Sequence, residues 1–524
     1  MNTSPRRRRR LLTGLVLAAL TATVGVAGPA TAAPGRPAVV ETDKGAVRGT
    51  VAGGLRTFQG IPYAAPPGRW TSPRPAAPWS GVRDATRPGA ACAQPVGLPV
   101  GVPSEAEDCL YLNVTTPGRK GDDLPVIVWI HGGSLMYGTG DMYGPDRLAE
   151  DAVVVSMNYR LGVMSFLTDP ALDAGTAYGS GSLALEDQQA ALRWVRANIR
   201  EFGGDAGNVT IMGQSGGGYA VCDHLASPMS AGLFHRAVVQ SAPCATGGSR
   251  TRAEAEADSA AVIEAVGCAD ATDVAACLRS DETTVAELLA AYGPWGEPRP
   301  VSGTPLLPLS PAEAFRTGRF NRVPVLIGVN HDEENGRYGG LEVNPGGAPI
   351  PAEAYESAVR DEYGADADAI LARYPLSEYG NSAGLALSTI GTDRNWSNPT
   401  YDTAGLLSRW TKTWMFEFAE EDTPWFVGYD EPSFPWRAQH MAELAYLFDL
   451  DLFRPLDRTQ ERLADRLIGA WTRFAVAGDP NGGREGGWRA FTQRRPYVQS
   501  LTSGAWTATD FTRDHEYAFW SSLA

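Results

Sequence analysis

Residues 209–226 read VTIMGQSGGGYAVCDHLA. Four residues suited to a buried strand lead into Gly213-Gln214-Ser215-Gly216-Gly217, and a helix-compatible run leads out. Gly-x-Ser-x-Gly between strand and helix is the pattern of a nucleophile elbow, a strained turn that lifts the serine hydroxyl above the sheet edge. Glycine at 213 and 217 makes steric sense, because such a turn brings strand and helix backbones too close for side chains. The pentapeptide recurs at Gly380-Asn381-Ser382-Ala383-Gly384, as a chain with 59 glycines allows. There Ser382 follows the polar LSEYGN with no strand before it, so Ser382 reads as an ordinary loop residue and Ser215 as the candidate nucleophile.

Outward from the elbow, LPVIVWI (124–130), AVVVSM (152–157), RAVVQS (236–241) and VPVLIGV (323–329) are continuous apolar runs of strand length. LEDQQAALRWVRANIREF (185–202) places its apolar residues at helical spacing. This alternation predicts an α/β fold with a large, mainly parallel central sheet and helices on both faces. VVETDKGAVRGTV, near the start, reads as two short strands around an Asp-Lys-Gly turn, an antiparallel edge. Regions 251–320 and 345–435 are helix-forming mixtures broken by Pro and Gly, read as helical insertions on one core. Residues 33–524 are taken as a single domain.

The chain has 524 residues and a net charge of −15, although five arginines stand together at Arg6–Arg10. So acidic a body repels phosphate backbones and anionic lipid surfaces, which argues against nucleic-acid binding and peripheral membrane attachment. The arginine cluster precedes an apolar stretch from Leu11 to about Ala27 and the small residues Ala30-Thr31-Ala32, the pattern of an export signal over 1–32, cleaved near Ala33. Either the general or the twin-arginine route fits. The mature protein is expected to be secreted, without stable membrane attachment, where its six cysteines are free to pair. Oligomeric state is not legible.

A serine hydroxyl needs a base, and a carboxylate to orient that base. Six histidines are available. Chain order in elbow hydrolases is Ser, acid, His, which demotes His131. His224 and His235 lie too near the elbow in sequence and read as helix or turn surface, while His331 precedes the acidic cluster Asp332-Glu333-Glu334. His440 and His515 both remain. Donors for a developing oxyanion are expected where LPVIVWI ends in His131-Gly132-Gly133-Ser134.

These segments resemble the type-B carboxylesterase/lipase family, the cholinesterase-like branch of the α/β-hydrolases. The likeness is carried by FQGIPYAAPP (58–67), EDCLYLNV (107–114), VWIHGGSLMYG (128–138), NYRLG (158–162), residues 186–217, GLFHRAVVQSA (232–242), VPVLIGVNHDEE (323–334), HMAELAYLF (440–448) and WTRFAVAGDPN (471–481). The resemblance implies an α/β-hydrolase fold, Ser215 as nucleophile, Glu333 as acid with Glu334 as fallback, and His440 as base. His515 falls in a segment the family uses for packing. The oxyanion donors it implies are the N–H groups of Gly133, Ser134 and Gly216. Two departures stand out: Ser134, where a third glycine or alanine is usual, and Gln214-Ser215-Gly216, where Glu-Ser-Ala is usual.

The resemblance also implies disulfides Cys92–Cys109 and Cys268–Cys277. Cys222 and Cys244 are left over, 22 positions apart, and are expected to pair with each other, with two buried free thiols as the alternative. The implied activity is hydrolysis of small-molecule carboxylic esters through an acyl-enzyme, needing no metal or organic cofactor. No His-x-x-x-His or paired-Cys ligand spacing is present. The alternatives are a non-catalytic binding or adhesion protein of the same fold, or a hydrolase of amides or thioesters. Trp295, Trp396 and Trp425 are candidates for lining a substrate pocket.

Overall fold

Side chains alternate along the central strands between two hydrophobic cores, one on each face of a single sheet. Val126, Val128 and Ile130 enter one core with Val153, Val155 and Ile211. Ile127, Trp129, Val154 and Met212 enter the other. Such a two-sided sheet explains the continuous apolar runs, because neither face meets water.

The computed structural model describes residues 36–96, 101–118, 123–246, 249–293, 298–483 and 487–523. The export segment expected over 1–32, and Trp295, lie outside the described residues. Residues Arg36–Ala524 form one compact unit.

Its strands are β1 (Arg36–Thr42), β2 (Gly45–Ala52), β3 (Leu55–Pro62), β4 (Val82–Asp84), β5 (Tyr111–Pro117) and β6 (Leu124–Ile130). There follow β7 (Val153–Met157), β8 (Gly204–Gln214), β9 (Arg236–Gln240), β10 (Val325–Asn330), β11 (Thr413–Phe418) and β12 (Val498–Leu501). The sheet order is β1-β2-β3-β5-β7-β6-β8-β9-β10-β11-β12, with β4 beside β2. From β7 through β12 every neighbouring pair is parallel. β1-β2-β3-β5-β7 is the antiparallel flank.

Helices 183–198 and 216–226 cover one face through Leu192, Val195, Val221 and Leu225. Helix 458–477 covers the other with Leu463, Leu467, Trp471 and Phe474, an apolar stripe at helical spacing. A capping box at Asp457 and Gln460 starts that helix, and left-handed Gly478 ends it. Among the described residues no helix is long and apolar enough to cross a membrane.

Among the described residues of region 251–320, helices run over 252–265, 274–279, 285–292 and 311–317, as expected. Region 345–435 contains helices over 355–363, 367–373, 383–392 and 398–407, but also β11, TWMFEF, fully buried beside β10. That strand corrects the all-helical expectation. A six-residue run carries too few turns for its period to separate strand from helix, and Glu417 breaks its apolar character.

All six cysteines are paired, as Cys92–Cys109, Cys222–Cys244 and Cys268–Cys277. Cys222–Cys244 ties the helix behind Ser215 to the loop after β9.

Candidate active site

β8 delivers its last residue, Gln214, to the sheet edge, and helix 216–226 starts two residues later. Ser215, between them, holds φ 55° and ψ −124°, a conformation that costs a non-glycine residue of order 1–3 kcal/mol. The flanking glycines are sterically required. A Cβ on Gly213 would lie 2.3 Å from the Gly217 carbonyl oxygen, and one on Gly217 would lie 2.0 Å from that of Ile130. The second pentapeptide is built differently: Ser382 caps helix 383–392, its Oγ accepting from the Leu385 N–H at 3.3 Å.

Glu333 stands just past the end of β10 and is buried. One carboxylate oxygen accepts from the Asn330 N–H at 2.8 Å, and the other lies 2.5 Å from His440 Nδ1. The backbone repeats this link, with His440 N–H donating to the Glu333 carbonyl at 3.1 Å. Glu334 turns its oxygens instead to Trp396 Nε1 at 2.6 Å and to Arg337 at 3.1 Å. Ser215, Glu333, Glu334, His440 and Ser134 line one cavity of about 730 Å³, walled by Trp396 and Trp425. Ser134, Ser215, Gly216, Tyr219, Arg299 and Trp396 line a second of about 240 Å³. Ser215 is therefore common to both.

Burial disfavours the His440 imidazolium, but the adjoining Glu333 carboxylate, with Glu443 and Glu334 nearby, outweighs it and raises the pKa above the ordinary histidine value. Under this pair sits a third carboxylate. Glu443 accepts from Asn330 Nδ2 at 2.6 Å and Gln240 Nε2 at 3.0 Å, and burial pushes it up to about 7.

The glycine-rich loop after β6 approaches Ser215 from the other side. Gly133 has φ +104°, where a Cβ would lie 2.5 Å from the Tyr137 carbonyl oxygen. Ser134 and Leu135 follow with φ of 55° and 59°. Among the described residues the N–H groups of Gly133, Ser134 and Gly216 make no hydrogen bond within the protein, which leaves them free for a ligand oxygen. The two departures from the family pattern meet here. A Cβ on Gly216 would lie 2.8 Å from Leu135 N and 3.0 Å from Ser134 N, so this chain's loop occupies the space an alanine would need. Gly216→Ala is expected to displace the loop and lower kcat by up to about a hundredfold, with KM changing less. Steady-state kinetics on a p-nitrophenyl ester measure it, and an unchanged kcat would refute the coupling.

The other histidines separate cleanly. His131 stacks on Tyr159 at 4.4 Å and burial lowers its pKa to about 4. His224, expected at a surface, is fully buried, with Nδ1 2.8 Å from Ser230 Oγ and Nε2 3.1 Å from Gln188 Oε1. Partners on two other segments let a polar residue face the core, which its own helix does not reveal. His515 is buried between Asp393 and Glu417.

Two contacts escaped the sequence reading. Gln214 Nε2 donates to the His440 carbonyl at 2.7 Å, fastening the histidine loop to the elbow. Trp396 packs against the His440 ring with centroids 4.5 Å apart. Gln214 was visible as a departure and Trp396 as one of several aromatics, but neither signal named a partner.

The model of the carboxylesterase family matches residues 36–520. A cocaine esterase of Oryctolagus cuniculus is 35% identical over 499 residues, covering 87% of this chain and 91% of that protein. Para-nitrobenzyl esterase of Bacillus subtilis is 33% identical over 475 residues, covering 84% and 90%. Among solved structures, a PNB esterase matches with a TM-score of 0.74 and 31% identity over 92% of this chain and 99% of its own. Agreement of sequence and architecture over nearly the whole described length means that the chain belongs to the carboxylesterase family and is a carboxylic ester hydrolase of the α/β-hydrolase fold.

Proposed function

We propose that the protein is a secreted serine esterase that cleaves small-molecule carboxylic esters through an acyl-enzyme on Ser215. The observation that carries this reading is the Glu333–His440 pair at 2.5 Å, lining one cavity with a serine on a strained elbow. Glu333 holds the proton on Nδ1 of His440, which leaves Nε2 to take the Ser215 proton as Oγ attacks the ester carbonyl. The carbonyl oxygen becomes an oxyanion, met by the N–H groups of Gly133, Ser134 and Gly216. His440 then returns the proton to the departing alkoxide, and the acyl group stays on Ser215. Water repeats the sequence: it loses a proton to His440, attacks the acyl carbon and releases the acid with Ser215 restored. No step calls on a metal or organic cofactor. Three disulfides support an oxidising destination, and the 1–32 segment supports export.

The two cavities meeting at Ser215 suit an ester with one bulky and one compact half. The larger has the size of sites that bury drug-sized ligands. Arg299, 4.0 Å over the Tyr219 ring, limits the smaller. With p-nitrophenyl esters from acetate to palmitate, turnover is expected to peak at short acyl chains. Absence of turnover on every ester would overturn the proposal. Matched thioester and anilide substrates, which use the same machinery, are expected to be poorer.

The raised His440 pKa sets the pH dependence. Its base form predominates above that pKa, so kcat/KM is expected to rise with pH through a midpoint above the ordinary value of about 6.5. Glu333→Gln removes the charge that raises it and leaves burial, which lowers it. The midpoint should then move below that of wild type, with kcat reduced by about 10⁴. An unshifted midpoint in the variant would separate the titration from His440.

A further inference from the structure

Behind the catalytic acid, three segments far apart in sequence bring two histidines and a glutamate together. His331 follows β10, Glu417 lies in β11, and His515 lies just before the C-terminal helix 517–523. One ligand atom from each falls within 4.8 Å of the other two. We infer that His331, Glu417 and His515 form a binding site for one divalent transition-metal ion of the zinc class.

The chemistry of the donors points there first. Two imidazoles and a carboxylate make the mixed nitrogen and oxygen set that zinc takes in three-ligand sites, with a fourth position left for water. The ring geometry agrees. Two imidazoles on one tetrahedral ion, each bonded at about 2.0–2.1 Å, place their ring centres roughly 5 Å apart. The His331 and His515 centroids are 5.3 Å apart, with planes inclined by 53°.

The surrounding shell agrees as well. A metal-bound histidine almost always donates its other ring N–H to a carboxylate, carbonyl or water, which fixes the tautomer and raises basicity. Both histidines have such a partner. His515 Nδ1 lies 2.7 Å from Asp393, and His331 Nδ1 lies 3.1 Å from Asp332. Asp393 is itself held by the Tyr374 hydroxyl at 2.8 Å, and the His515 carbonyl by Asn398 Nδ2 at 2.8 Å. His515 Nε2 lies 2.6 Å from Glu417. An imidazolium between two carboxylates accounts for His515 alone, but not for a second histidine carrying its own carboxylate at the spacing a shared ion requires.

Access and consequence follow from burial. Glu417 and His515 are 1% exposed, whereas the His331 side chain is 39% exposed and offers the entry side. A bound ion would tie β11 and the C-terminal segment to the loop that carries Glu333, two residues beyond His331. It is a structural clip and takes no part in the ester chemistry.

The test is zinc titration of the chelator-stripped mature protein by calorimetry, with elemental analysis after dialysis. One zinc per chain is expected, with Tm rising by about 2 to 3 °C at a hundredfold excess over Kd. Cobalt is expected to give the intense visible absorption of a tetrahedral site. His331→Ala, at a partly exposed position, should fold and lose the ion. Asp332→Asn should weaken zinc about 10- to 100-fold. His235→Ala, remote from the site, should bind as wild type does. No stoichiometric zinc, or equal binding by wild type and His331→Ala, would overturn the site.

Discussion

Ser215→Ala is expected to abolish ester turnover, lowering kcat by about 10⁴- to 10⁶-fold while the fold persists. Nucleophile, base and acid act as a unit, so losing the attacking atom removes nearly all that the other two contribute. What is expected to survive is the share due to binding and to the proposed N–H donors of Gly133, Ser134 and Gly216, which water can exploit poorly. Folding should be spared, because alanine has the Cβ that serine already places in the turn at φ 55°. Circular dichroism and urea melts check that half of the expectation. Ser382→Ala is the matched control. Its hydroxyl caps helix 383–392, so it should cost about 1 kcal/mol of stability and leave turnover alone. The reverse outcome, activity lost with Ser382 and kept without Ser215, would refute the elbow assignment.

The largest expected loss of stability is at Asp187, in helix 183–198. Its carboxylate is completely buried and takes both Nε and Nη2 of Arg160, at 2.8 and 2.6 Å, together with the Arg160 N–H at 3.1 Å. Arg160 in turn donates to the Thr71 carbonyl at 2.7 Å. The pair joins the loop after β7 to helix 183–198. Asp187→Ala leaves a buried guanidinium without the carboxylate that pairs with it, Glu186 acting on it only from a distance, which costs about 3–5 kcal/mol. The midpoint of urea unfolding should fall accordingly. Replacing both, as Arg160→Met with Asp187→Leu, removes the stranded charge and should recover most of the loss. A single variant within about 1 kcal/mol of wild type would show that water or another anion reaches Arg160.

What the sequence disclosed and what it concealed divide along physical lines. β6, β7, β9 and β10 were legible because strands covered on both faces have no polar alternation, and few other structures need such runs. The elbow was legible because close approach of backbones at 213 and 217 excludes every side chain but hydrogen. β11 was not, since TWMFEF is too short for a period and lies among helices. Contacts between distant segments were harder still. Nothing near Gln214 announces that its amide will hold the His440 carbonyl, nor does Trp396 reveal that its ring will wall the same imidazole. The burial of His224 depends on Gln188 and Ser230, and the cluster of His331, Glu417 and His515 shows no spacing motif because each residue arrives on a separate segment. Local chemistry could be read along the chain. Pairing across the fold was legible only where the family resemblance or the cysteine count supplied it, as for Glu333 with His440 and for the disulfides.

The most direct test of the Ser215 acyl-enzyme is rapid mixing with a p-nitrophenyl ester, followed by quenching and peptide mass spectrometry. A burst of one p-nitrophenol per chain is expected, with the acyl mass added to the peptide that contains Ser215. The burst and the added mass should both vanish in Ser215→Ala. Turnover with no acylated peptide, or an acyl group found on any other residue, would contradict it.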